Sequence, residues 1–123
     1  MKIVYANEKV EEQCTSMKSA KKLLGGDETL ARNLMSRVTA LQQAITINDI
    51  IAQPTFHFHN LHNIGRKKLE GFYAIDLKSR REKWRMILQL LDENEEPFER
   101  CSIDKIAPYV RVVEIVEVSN HYE

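Results

Sequence analysis

The chain has 123 residues, 43% hydrophobic and 29% charged, with three Pro and four Gly, which suits one compact domain over 1–123 and excludes a long linker or a disordered tail. No apolar run approaches the ~18 residues a spanning helix needs, so the protein is expected in the cytoplasm with no membrane partner. The net charge of zero hides an asymmetry: residues 56–91 carry eight Lys/Arg, three Asp/Glu and three His, whereas residues 92–123 carry three Lys/Arg and nine Asp/Glu. The cationic middle suits an acidic partner such as RNA phosphate, or pairs with the anionic tail across a sheet.

Lys2–Tyr5 reads as a first strand. Asn7 then caps a helix, with Glu8, Glu11 and Glu12 at its positive end and Lys18, Lys21 and Lys22 near its negative end. Val10, Cys14, Met17 and Leu24 recur at three- and four-residue steps and share a face. Gly25-Gly26 stops this helix, and Asp27 caps a second whose stripe is Leu30, Leu34, Val38 and Leu41, widened by Ala31, Met35 and Ala44. A two-residue turn makes the two helices an antiparallel hairpin. Asn48-Asp49 starts one more short turn before Pro54.

After Pro54 the period changes. Phe72–Lys78 and Trp84–Leu91 are strand-like and joined by the polar turn Ser79–Lys83. Val110–Val118 is a third run, and Phe98–Ile103 adds a short fourth. The expected class is α+β, an N-terminal helical hairpin packed on a twisted antiparallel sheet. Cys14 on the helix and Cys101 in a loop or edge strand fit no metal or redox spacing, so both read as reduced thiols.

His57, His59 and His62 fall within six residues. A metal site is one reading, but structural zinc takes four ligands and no Cys or nearby Asp/Glu completes the set, so no metal or other cofactor is expected. Surface imidazoles, or groups for acid–base work and phosphate contact, are the other readings. Arg85 sits inside an apolar strand and needs either an anionic ligand, which it would clamp in bidentate fashion, or a salt bridge to Asp76 or Glu114. Arg80 and Arg81 read as a solvated tip. His121 and Tyr122 follow the last strand, where terminal residues are usually idle.

Taken together, the helical hairpin, His59-Asn60-Leu61, Gly71-Phe72-Tyr73-Ala74-Ile75-Asp76, Trp84-Arg85-Met86-Ile87 and the closing His121-Tyr122 resemble the RelE/ParE superfamily of type II toxins, within it the HigB-like killer proteins. The resemblance covers roughly residues 29–122. It implies a fold similar to microbial ribonucleases, and cleavage of messenger RNA on the ribosome without a metal, by attack of the 2′-hydroxyl on the adjacent phosphate. It implies catalytic roles for His59 or His62, Arg85, His121 and Tyr122, and RNA contacts from Arg66, Lys67, Lys68, Arg80, Arg81 and Lys83. The partners it implies are the ribosome, messenger RNA and a helix-turn-helix antitoxin. Two departures stand out: the stretch from His59 to Gly71 is longer than the usual family loop, and the terminal Asp-Tyr-His order becomes Asn120-His121-Tyr122. The alternative is a non-enzymatic module of the same fold, similar to the gyrase-poisoning relatives.

Overall fold

The computed structural model describes residues 1–61, 71–98 and 102–121. The chain opens with β1 (Lys2–Tyr5), followed by α1 (Glu8–Thr15), α2 (Met17–Leu23), α3 (Glu28–Gln43) and α4 (Asn48–Ile51). A 3-10 turn at Pro54–Phe56 leads to β2 (His59–Asn60), and β3 (Phe72–Asp76) and β4 (Arg85–Leu91) come next. A one-turn helix α5 (Ile103–Ile106), a 3-10 turn (Ala107–Tyr109) and β5 (Val112–Ser119) complete the described elements. The class is α+β, as the element pattern predicts.

Three features differ from the sequence reading. The first helix is two. Ser16 leaves the helical region (φ −121°, ψ 120°), and its Oγ accepts the Ser19 N–H at 3.3 Å, so it ends α1 and caps α2. The break re-aims the stripe: Val10, Cys14, Ala20 and Leu24 are buried, whereas Met17 is 40% exposed. The sheet is mixed instead of antiparallel. Its order is β1-β5-β4-β3-β2, and β1 runs parallel to β5 while the other pairs are antiparallel. The run Phe98–Ile103 is not a strand where it is described, because Ser102 N-caps α5; residues 99–101, Cys101 among them, lie outside the described residues.

The remaining elements follow their local signals. Asn7 Oδ1 accepts the Val10 N–H and Asp27 Oδ1 the Leu30 N–H, each at 3.0 Å, and these bonds start α1 and α3. Gly25 and Gly26 take φ of +69° and +84°, and the Gly26 N–H closes on the Lys21 carbonyl at 2.7 Å, which turns the chain back into α3. Leu30, Ala31, Leu34, Val38 and Leu41 of α3 are buried against Tyr73, Ile75, Met86, Leu88, Val113, Ile115 and Val118. Each such large side chain contributes about 1.5–3 kcal/mol on leaving water.

The helices cover one face of the sheet. By strand alternation Ala74 and Ile87 face the other way, where they pack with Leu61, Phe72 and Val116. A register shift between Ile87 and Leu88 places Val116 opposite no residue, so that both Ile115 and Val118 still reach the main core. Asp76 and Arg85 are the next pair along that second face, and Arg85 is registered with Ser119 on its other side. Three strand ends and the turn after Phe56 therefore meet at one corner.

Candidate acid–base site in a cationic cleft

The segment entering β2 sorts its side chains by alternation. Phe56 and Phe58 pack on the main core, Phe58 stacking on Tyr73 with ring centroids 4.9 Å apart. His57 and His59 lie on the other side and stack on each other at 4.3 Å. His57 adopts a left-handed conformation (φ 48°, ψ 53°), which a non-glycine residue takes at a cost of order 1 kcal/mol. That conformation is held by the ring: Nδ1 lies 3.1 Å from Oδ2 and 3.3 Å from Oδ1 of Asp76.

Asp76 is 1% exposed. A carboxylate only accepts, so in the neutral His57 ring the proton resides on Nδ1 and Nε2 keeps its lone pair. This is the arrangement by which a carboxylate orients a general base. The His59 ring is fixed in its turn, its Nδ1–H donating to the His57 carbonyl oxygen at 2.6 Å.

The other oxygen of Asp76, Oδ1, is 3.0 Å from Nε of Arg85, within ion-pair range, although the Nε–H is not aimed at it. Of the two anions open to Arg85 in the sequence, Asp76 is the one it meets. The rest of the guanidinium serves the Ser79–Trp84 turn. Nη2 donates to the Arg80 carbonyl at 2.9 Å, and Nη1 donates to those of Trp84 at 3.0 Å, Ser79 at 3.5 Å and Glu82. Arg85 is 5% exposed and is the staple that shapes this turn.

The turn is not a remote tip. Arg80, Arg81 and Lys83 line a cleft of about 470 Å³ together with His57, Arg85, Asn120 and His121. All three side chains are exposed, and none of them forms an ion pair among the described residues. The Ser119–Arg85 register delivers Asn120 and His121 to the same rim, and the His121 N–H donates to Ser119 Oγ at 3.1 Å. A cleft of this size is ample for a ligand, and its Arg and Lys lining suits an anionic chain.

Of the residues singled out from sequence, Arg80, Arg81, Lys83, Arg85 and His121 meet at the cleft, and His59 stands behind His57. His62, Arg66, Lys67, Lys68 and Tyr122 lie outside the described residues. The sequence places His57 in a histidine cluster open to acid–base work but points to His59 or His62 for the catalytic role, and it offers Asp76 only as a counterion. The missing signal is a contact between residues 19 apart, which no local pattern encodes. The same contact supplies a carboxylate beside the histidine cluster, where spacing alone suggested none.

Among the described residues no helix is long and apolar enough to cross a membrane. The chain matches none of the protein-family models against which it was scanned, and no curated protein matches it.

Proposed function

We propose that the protein is a metal-independent endoribonuclease of the RelE/HigB kind, the toxin of a type II toxin–antitoxin pair that acts on ribosome-bound messenger RNA. The observation that carries this reading is the His57–Asp76 contact opening into a cleft lined by Arg80, Arg81, Lys83 and His121. RNA cleavage by its own 2′-hydroxyl needs a base, cations for the phosphate and an acid, and nothing more. In the proposed reaction His57 Nε2 takes the 2′-hydroxyl proton and O2′ attacks phosphorus. The P–O5′ bond breaks, and His121 in its protonated form gives its proton to the departing O5′. The products are a 2′,3′-cyclic phosphate and a 5′-hydroxyl. Arg80, Arg81 and Lys83 hold the phosphates, as exposed guanidinium and ammonium groups do. Arg85 acts through the turn that it shapes. A basic cleft also suits ribosomal RNA, and a helix-turn-helix antitoxin would cover it in the resting pair.

Induced expression tests this reading. Wild type should arrest growth, while His57→Ala and His121→Ala should not, each accumulating as folded protein. Full toxicity in both histidine variants, with loss in Arg80→Ala/Arg81→Ala, would instead support the non-enzymatic binding module.

A further inference from the structure

His57, His59 and Asp76 each offer one ligand atom such that the three lie within 4.8 Å of one another. Two of these side chains already meet. His57 Nδ1 and Asp76 Oδ2 are 3.1 Å apart, and ligands bound at ~2.0–2.2 Å to tetrahedral zinc stand roughly 3.3–3.5 Å from each other, so an ion replacing the shared proton needs them to part by only a few tenths of an ångström. We propose that His57, His59 and Asp76 form a zinc-class cation site which, when filled, silences the acid–base dyad; the silencing rests on the nuclease reading above, the binding does not.

The donor chemistry selects the ion. Two imidazoles and one carboxylate suit zinc, copper or nickel and are poor ligands for magnesium or calcium. Three protein ligands leave a fourth position for water, as open zinc sites do. Arg85 Nε lies 3.0 Å from the second oxygen of Asp76, a fixed positive charge beside the would-be ligating carboxylate. The cleft cations oppose a dication. Arg80, Arg81 and Lys83 are exposed and screened by solvent, and the buried Arg85 is matched by Asp76 itself, so the opposition lowers affinity below that of a closed four-ligand site without abolishing it.

Silencing follows from the proton count on His57. The ion takes the Nδ1 lone pair, displacing the hydrogen bond to Asp76. The one proton of the neutral ring then resides on Nε2, the atom that must be bare to accept the 2′-hydroxyl proton. A filled site therefore has an oriented imidazole with no base.

The test is a titration of the full chain with Zn²⁺ and with Co²⁺, without RNA, alongside melting curves. One equivalent should bind, with the visible absorption of four-coordinate cobalt, and binding should be lost in folded His57→Gln and in folded His59→Gln. Cys14→Ala/Cys101→Ser and His121→Ala should bind as wild type does. Absence of saturable binding, or binding that survives both histidine variants, overturns the site. Cleavage of RNA by wild type should then fall as zinc saturates and return with chelator; cleavage indifferent to saturating zinc overturns the silencing. A chain that binds zinc as described but never cleaves RNA keeps the metal site and removes the nuclease reading.

Discussion

His57 and Asp76 meet across two segments that do not pair at these positions: the imidazole comes from a left-handed turn before β2, the carboxylate from the last residue of β3, and Nδ1 lies 3.1 Å from Oδ2. Asp76 is shared, its other oxygen facing Arg85 Nε at 3.0 Å. One buried carboxylate thus orients the candidate base and anchors the residue that shapes the cationic turn.

That sharing makes Asp76→Asn doubly costly. The amide has no second acceptor oxygen for Arg85 and His57, and a buried guanidinium left without its counterion destabilises by about 3–5 kcal/mol. Chemical denaturation should show a loss of this order. Growth arrest should weaken beyond what the lower folded fraction explains, because the Nδ1 proton is no longer fixed.

Arg80, Arg81 and Lys83 are expected to bind phosphate without reading bases. Each contact to single-stranded RNA adds about 0.7 to the slope of log K against log salt concentration. The triple alanine variant should bind RNA more weakly at low salt and with a slope shallower by about 2, a change measurable by fluorescence anisotropy across a salt series. His121→Ala should leave that slope within about one contact of wild type.

Gly26 has φ +84°, and a Cβ there would meet nothing within 4 Å. Gly26→Ala should therefore cost only the backbone preference, about 1–2 kcal/mol, with no loss of packing. Leu34→Ala, at a fully buried position of α3, should cost about 2–5 kcal/mol by opening a cavity under the sheet. Thermal melts of the two variants should rank in that order.

Burial pushes the Cys14 thiol up to about 12 from the usual 9.0. A raised folded-state value means the native protein holds its proton where the unfolded chain releases it. The stabilisation is complete below pH 9.0 and is lost as pH rises toward about 12. In a Cys101→Ser background Cys14 should resist thiol reagents at pH 8 until denaturant is added, and Cys14→Ala should flatten the alkaline loss of stability.

The amphipathic elements were legible in sequence because periodicity and caps are local: the stripe of α3, the Gly25-Gly26 stop and the β3–β4 hairpin all stand where their patterns put them. Ser16 was not read as a break, since a serine within a periodic run is ambiguous until its side chain is seen capping the next turn. The parallel β1–β5 pairing depends on how the ends of the chain meet, which no local signal carries. At the site, Arg85 is conspicuous as a charge in an apolar strand, and Asp76 is one of the two carboxylates, with Glu114, that the sequence offers it. The role of His57 was hidden: three histidines in six residues look alike until the turn at φ 48° aims one of them at Asp76.

The most direct test of the account is the chemistry of the cut. Wild-type protein, ribosomes and a defined messenger RNA are incubated in the presence of chelator, and the new RNA ends are analysed. Cleavage should survive chelator, leave 2′,3′-cyclic phosphate and 5′-hydroxyl ends, and fall about 10²- to 10⁴-fold in His57→Gln. Cleavage that leaves 5′-phosphate ends, or that proceeds undiminished in His57→Gln, would contradict the proposed reaction.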